Sequence, residues 1–466
     1  MDARVQIIGG GLAGSEAAWQ LARRGIAVQL HEMRPARSTP AHTGGDLAEL
    51  VCSNSLRSDV LANAAGLLKE EMRRCGSIIL AAADATAVPA GSALAVDRSE
   101  FARRVTDAIT GHDLIALSRN ETTSLPPEGT VAIVATGPLT SDTLATSIAT
   151  FTGEESLYFY DAISPVVDAE TIDMTIAFRA SRYARGVSSG GDYLNCPLDE
   201  AGYRRFLAAL LEAAPLTWHE FERDHFFEGC LPIEELARRG PDTLRFGPMK
   251  PVGLIDPATG RRPHAVVQLR QDNRAASHFS LVGFQNHLRW GDQERILRLI
   301  PGLAKARFIR FGQIHRNSFI NSPSLLLPTY QTRRRSRLLF AGQIAGVEGY
   351  LESAAAGLIA GTSAVALALG KPPRAFPPTT ALGALAAYIS TADPAHFVPT
   401  NVTFGLFPPL SRRIRPRRER NLQHASRALA DLEAFTRDLD LPDAQPPPGE
   451  PPGRVMAAVD RPDAAP

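Results

Sequence analysis

Two residue types in this chain are spaced for chemistry: a glycine run near the start and cysteines set far apart. Gly9, Gly11 and Gly14 form a G-x-G-x-x-G pattern within GGGLAG, between the apolar VQII and a helical stretch. In such a run the first glycine allows a tight turn. The second lets backbone approach a pyrophosphate, and the third lets helix and strand pack closely. The following helix would aim its free N–H groups and the positive end of its dipole at the phosphates. Gly9, Gly10, Gly11, Leu12, Ala13 and Gly14 are therefore expected around a dinucleotide. Glu32, eighteen residues beyond Gly14, is placed to hydrogen-bond a ribose hydroxyl. A plain glycine-rich turn would not need strand, helix and acid in register.

The cysteines are Cys52, Cys75, Cys196 and Cys230. They form no CxxC pair and no histidines group around them, so free thiols and no metal site are expected. Cys52 in LVCSNS and Cys230 in FFEGCLPIEE lie in polar loops, where a thiol can serve as nucleophile or base. Cys75 shares a helix face with Leu68 and Met72, and Cys196 precedes Pro197 at a strand end. Both of these are expected to be packing residues.

Positioning the glycine run takes a βαβ unit. VQII is a buried strand, SEAAWQLARRG a helix closed by Gly25, and IAVQL a second strand ending at His31-Glu32. Residues 34–62 read as irregular, GLLKEEMRRCGSII as one helix, and Asp97 as the cap of EFARRVTDAI. VAIVATG reads as a parallel strand ending at Gly137. From about 155 to 315 strands and short helices mix, as in an insertion. LLFAG, ending at Gly342, reads as a returning strand, with a small-residue helix near 351–369 and further helices over 374–435. The Pro-rich end is expected to be disordered.

Composition narrows the class. The 466 residues suit two or three domains at about 150 each, and 44 % are hydrophobic, enough for a sizeable core. A formal net charge of +1 gives no global pull on a polyanion, so any such contact must be local. Four of the fifty basic residues are lysines and the other forty-six arginines. A GC-rich genome is the plain explanation, and a preference for planar, phosphate-gripping forks the functional one. The N-terminus runs straight into a strand without a signal peptide. No apolar stretch approaches 18 residues, so no membrane span is expected, and the location is read as cytoplasmic.

Two later segments turn a general dinucleotide site into one for FAD. VAIVATG resembles the second nucleotide-side motif of flavoproteins, and LLFAGQIAGVEGYLESAAAGLIAG resembles their C-terminal flavin motif. In the latter, a helix starting near Glu352 could stabilise negative charge on a reduced flavin. The fold class is therefore α/β: a Rossmann-like FAD-binding domain with an inserted α+β domain. The expected divisions are 1–155 (FAD-binding, first part), 156–315 (inserted RNA or substrate domain), 316–440 (return, with C-terminal helices) and 441–466 (disordered tail).

Several segments together resemble one family. AELVCSNSLRSD, GLLKEEMR, VPAGSALAVDR, YLNCP, FEGCLPIEELARRGPDTLRFGPMKPVGL and VEGYLESAAAGLIAG look like those of the bacterial folate- and FAD-dependent tRNA uracil-5-methyltransferases, over roughly residues 4 to 365. The first and fifth are the specific ones. The resemblance implies methylation of uracil C5 at position 54 of the tRNA T-loop. The carbon donor would be 5,10-methylenetetrahydrofolate, with FAD and NAD(P)H as electron source and the methylene carried through flavin N5. A thiolate adding to C6 makes C5 enolate-like, and a base must remove the C5 proton. Cys230 is expected to be the nucleophile and Cys52 the base, with the opposite split left open.

RNA contact would fall to three basic runs, Arg238 to Arg270, Arg333 to Arg337 and Arg412 to Arg420. Each alone is more often a solvated face. His225, Phe226 and Phe227 could stack on RNA, though core packing is the stronger reading. Three other functions stay open: the same chemistry on ribosomal RNA, a plain FAD/NAD(P)H oxidoreductase, and a non-catalytic RNA-binding flavoprotein. The oxidoreductase has no use for two loop cysteines, and the RNA-binding protein would tolerate losing both.

Overall fold

A computed structural model of the chain describes residues 4–39, 41–153, 157–162, 164–182, 191–213, 231–312 and 314–448. Its first sheet is built from the short apolar runs seen in the sequence. Five parallel strands lie in the order Leu338–Phe340, Ala132–Val134, Val5–Ile8, Val28–His31 and Ile115–Ser118. Covered on both faces, they are almost continuously apolar, as parallel strands must be. Val5, Ile7, Val28, Leu30, Ile133 and Val134 are all at most 1 % exposed. Each such side chain contributes about 1.5–3 kcal/mol relative to exposure.

Helix Leu12–Ala22 follows the first strand and crosses the long helix Tyr350–Ala368. Alanine gives the long helix its propensity, and its glycines allow the close crossing. A Cβ at Gly357 would sit 2.2 Å from the Ala13 carbonyl oxygen, and one at Gly361 would sit 2.9 Å from Ala17 Cα. This helix corrects the expectation that no apolar stretch approaches 18 residues. It has 19 residues and is long and apolar enough to cross a membrane by length and composition, yet most of it is buried inside the fold.

The expected single helix GLLKEEMRRCGSII is two, Ala64–Arg74 and Ile78–Ala85. The chain turns between them at Gly76, with φ +65°, because the Arg23 guanidinium fills the space beside it. Arg23 Nη1 donates to the Cys75 and Gly76 carbonyls at 2.7 and 2.8 Å. The Asp97 cap is as expected: its carboxylate accepts from Glu100 N at 3.0 Å, opening helix Arg98–Thr110. Farther along, helices Ala381–Thr391 and Arg417–Arg437 pack against helix Ala64–Arg74. Glu71 stitches the first of these in place. Its carboxylate accepts from Ala381 N and Leu382 N at 2.7 and 2.9 Å. Burial pushes this carboxyl up to about 8, against the pull of those two N–H groups.

A second sheet, largely antiparallel, runs in the order Phe178–Ala180, Tyr193–Leu198, Ala265–Gln271, His278–Leu281, Val166–Asp168 and Phe308–Arg310. Helix Glu200–Glu212 covers it with Tyr203, Phe206, Leu207 and Leu210. These residues form a core separate from that of the first sheet. The paired strands Leu157–Ala162 and Ile314–Phe319 carry the chain out of the first unit and back.

The seam between the two units is polar. Arg270 Nε donates to Asn54 Oδ1 (2.8 Å) and its Nη2 to Ser53 Oγ (2.8 Å), while Arg98 pairs with Asp272 at 2.9 Å. The inserted unit therefore grips the loop that carries Cys52 and the strand Ser55–Ser58 after it.

Candidate active site

The predicted glycine-run residues surround one cleft of about 1040 Å³. Gly9, Gly11, Leu12, Ala13, Glu32, Gly137 and Gly342 all line it. Gly10 and Gly14 lie just behind. Gly9 has φ +102°, and a Cβ there would meet the Ala135 carbonyl at 2.5 Å. A Cβ on Gly14 would meet the Gly9 oxygen at 1.8 Å. By contrast, a Cβ at Gly11 or Gly137 would meet nothing within 4 Å, because both border open cleft. Gly11 caps helix Leu12–Ala22, whose first turn holds no acidic residue. The cleft thus has the parts a pyrophosphate needs: bare N–H groups, a positive dipole end and no protein atom occupying the space.

Glu32 is less free than the spacing suggests. Its Oε2 accepts from Gly10 N (2.9 Å), and its Oε1 accepts from Arg34 N (2.9 Å) and Arg34 Nε (3.0 Å). Burial pushes its pKa up, but Arg34 outweighs that and holds it below the usual carboxylate range. Arg34, only 2 % exposed, also reaches Glu49 at 3.0 Å. A carboxylate has about four acceptor positions, and with Arg34 Nη2 donating to Oε2 at 3.3 Å all four are taken, so Glu32 would meet a hydroxyl donor only by releasing one of them. The sequence reading missed Arg34 and Glu49. Arg34 lies two residues past Glu32, and nothing in its spacing marks it as buried.

The helix Tyr350–Ala368 also presents its N-terminus to the cleft, through Tyr350 and Ser353. This end is not bare. Glu352 in its first turn is fully buried, pairs with Arg57, and accepts from Val402 N at 2.8 Å. Burial raises its pKa, partly offset by the Arg57 charge. Arg57 itself holds a positive φ of +64°, an unusual conformation for a non-glycine. Lys69 Nζ fixes that bend by donating to the Ser58 carbonyl at 2.6 Å.

Tyr350 brings Cys52 to this place. Its hydroxyl oxygen accepts from Cys52 N (2.5 Å) and Ser53 N (3.1 Å), across 298 and 297 residues of sequence. From the other side Arg310 donates to the Val51 and Cys52 carbonyls at 3.0 and 3.3 Å. The Arg270 and Arg310 guanidiniums are both electrostatically coupled to the Cys52 sulfur. Cys75 and Cys196 behave as packing residues: burial pushes each thiol up to about 12. Cys230, and with it His225, Phe226 and Phe227, lies outside the described residues.

The basic runs separate into used and unused arginines. In the Arg333–Arg337 run, Arg333 donates to the Ser390 carbonyl (3.2 Å), Arg334 to Phe151 and Thr152 (both 3.1 Å), Arg335 to Pro126 (2.5 Å), and Arg337 to Gly129 (3.1 Å). These side chains tie loops to the first sheet. In the first run, Arg238 pairs with Glu235, Arg245 with Asp242 at 2.6 Å, and Arg270 holds the Cys52 loop.

Comparison with known proteins fits this architecture. The family model for "Glucose inhibited division protein A" matches residues 4–372. A protein of Pelotomaculum thermopropionicum named methylenetetrahydrofolate--tRNA-(uracil-5-)-methyltransferase TrmFO is 59 % identical over 435 residues, 93 % of this chain and 99 % of its own. Proteins of the same name from Heliobacterium modesticaldum and Enterococcus faecalis are 58 % and 56 % identical, and each covers 97–98 % of its own length. The chain belongs to the TrmFO family. At the level of fold, the Aquifex aeolicus GidA structure superposes with a TM-score of 0.68 at 16 % identity, over 93 % of this chain and 73 % of that one. A Rossmann-like FAD-binding domain with an inserted α+β domain is the fold of this TrmFO member, as the parallel sheet and separate second core require.

Proposed function

We propose that this chain methylates C5 of uracil in tRNA, at position 54 of the T-loop, with 5,10-methylenetetrahydrofolate as carbon donor, FAD in the cleft and NAD(P)H as reductant. The observation that carries the reading is the Tyr350 hydroxyl, which lines the cleft and holds the Cys52 loop against it through two backbone N–H groups. A plain oxidoreductase of a small molecule has no use for a thiol tethered in this way. The family's relatives carry the activity in their names.

When bound, FAD supplies the two electrons that take a one-carbon unit from the methylene to the methyl level. Gly9 to Gly14 cradle its pyrophosphate, Glu32 meets a ribose hydroxyl, and Gly137 and Gly342 allow close approach of backbone. The chain's thiols do the rest. The Cys230 thiolate adds to C6, and C5, now enolate-like, bonds to the incoming carbon. Cys52 takes the C5 proton as the carbon's bond to its donor nitrogen breaks, and a hydride equivalent from NAD(P)H completes the methyl as Cys230 leaves and restores the C5–C6 double bond. Arg270 and Arg310 hold the Cys52 loop from the inserted unit, through Ser53 Oγ and the Val51 and Cys52 carbonyls.

The test is direct. Purified flavin-bearing protein is incubated with methylenetetrahydrofolate, NAD(P)H and undermodified tRNA, and 5-methyluridine is mapped. Product at position 54 supports the reading. Product only in ribosomal RNA, or nicotinamide oxidation without methylation, overturns it. Cys52→Ala and Cys230→Ala should each lose at least about 10³ in kcat, and Cys230→Ala should no longer trap an adduct with 5-fluorouracil RNA. Tyr350→Phe, which orphans two backbone donors at a cost of about 1–3 kcal/mol, should lower kcat about tenfold while KM for tRNA holds.

A further inference from the structure

Five of the six arginines between Ser411 and Asn421 are not used by the fold among the described residues. The stretch SRRIRPRRER holds six arginines against one carboxylate, Glu419. Arg412, Arg413, Arg415, Arg417 and Arg420 are all exposed, and among the described residues none of these five side chains makes a hydrogen bond or ion pair. The Arg333–Arg337 run, equally basic in sequence, is spent on backbone carbonyls. The stretch is also costly as it stands. Arg417 and Arg420 sit in the first turn of a 21-residue helix, where the helix dipole opposes cations by about 0.3–1 kcal/mol each.

Its position matters as much as its charge. The stretch is anchored to the first unit on both sides. Upstream, Val402 N donates to Glu352 at the N-terminus of helix Tyr350–Ala368, 2.8 Å away. Downstream, Asn421 Nδ2 donates to the Ala62 carbonyl at 2.8 Å, a few residues past the strand that follows the Cys52 loop. A dense positive strip therefore stands out on a molecule whose net charge is only +1.

We propose that Arg412–Arg420 is the surface that grips the phosphate backbone of the tRNA substrate, by ionic contacts and not by reading bases. The proposal rests on the functional reading above and names the surface that reading requires. The chain needs a local polyanion site, because its total charge cannot supply one, and this strip is exposed, with five of its six arginines making no side-chain hydrogen bond or ion pair among the described residues.

The experiment measures KM for undermodified tRNA at rising salt. The variant replaces Arg412, Arg413, Arg415, Arg417 and Arg420 with Ser. A milder variant, Arg413→Ser with Arg415→Ser, guards against misfolding and is matched by Arg103→Ser with Arg104→Ser, an exposed pair on the second turn of helix Arg98–Thr110 and outside the three basic runs. Flavin content and melting temperature equal to the parent's establish that each is folded. The five-site variant should raise KM at least about tenfold and flatten the log KM against log salt slope by about 3.5 to 4.5, since each lost phosphate contact removes about 0.7–0.9. The milder variant should flatten it by about 1.5, and the helix pair should leave it unchanged. An unchanged slope in the five-site variant, or an equal effect from the helix pair, overturns the proposal. A parent that methylates no tRNA defeats the functional reading itself. A parent that does, beside variants that behave like it, defeats this surface alone.

Discussion

Two helix N-termini face the same cleft, and the protein treats them in opposite ways. Helix Leu12–Ala22 begins at a glycine with no acid in its first turn and open space beyond it. Helix Tyr350–Ala368 begins with a buried carboxylate, Glu352, paired with Arg57 and bonded to Val402 N. The first end leaves its positive dipole for an anion from outside, as a pyrophosphate site must. The second is answered by the protein's own charge, so it works as an anchor. It fastens the 398–402 loop on one side and, through Tyr350, the Cys52 loop on the other. One end of the cleft is built to receive, the other to hold a thiol in place.

The sharpest way to break this contrast is to give the first helix what the second has. Gly11→Asp adds a side chain where a Cβ meets nothing within 4 Å, at a residue with ordinary φ of −72°. Aspartate is a good N-cap, so the apo protein should melt at the parent temperature or above, by up to about 1 kcal/mol of added stability. Flavin affinity should drop at least about a hundredfold, because the new carboxylate faces the phosphates at close range. Titration with FAD followed by absorbance and melting checks both halves. Yellow protein of parent affinity would mean that this helix end is not the pyrophosphate site.

The converse change should act on stability more than on the cofactor. Glu352→Gln keeps an acceptor for Val402 N and removes the counter-charge of Arg57. Arg57 is about a third exposed, so solvent will moderate the loss. A fall of about 1–2 kcal/mol in urea unfolding is expected, with flavin affinity near the parent's. A large loss of flavin with unchanged stability would make Glu352 part of the cofactor site.

The last effect is a pH dependence, set by the buried carboxylate that anchors helix Ala381–Thr391. Folding raises Glu71 to about 8 from an ordinary 4.5. Between those values the folded protein keeps a proton that the unfolded chain has lost, so stability must fall as pH rises. The contribution is complete below about pH 4.5 and gone above about pH 8. Melting curves at pH 6 and 8.5 should show that decline, and Glu71→Gln should flatten it. A decline as steep in the Gln variant would assign it to other groups.

The glycine run was legible because its constraints are local. The Gly14 approach to the Gly9 oxygen is five residues long, and the turn, the bare helix start and the apolar strands beside it all follow from short-range sterics and periodicity. The same holds for the Asp97 cap and the returning strand at Leu338–Phe340. Sequence alone thus determined a parallel dinucleotide-type sheet, the cleft's glycine floor and which cysteines sit in packing positions. It also marked the segments that place the chain in its family. It missed whatever depends on distant partners. Gly76 breaks a helix that its own residues favour, because Arg23 from another element occupies the space. The Arg333–Arg337 run reads as a phosphate patch until the carbonyls of Phe151, Pro126 and Ser390 are seen to accept its protons. Tyr350 lies within a recognised motif, yet its role depends on backbone groups almost 300 residues away. Side-chain identity and local dihedral preference are carried by a few neighbouring residues. The choice of partner for an arginine, a phenol or a carboxylate is made only when packing brings remote segments together and removes the water that would otherwise satisfy them.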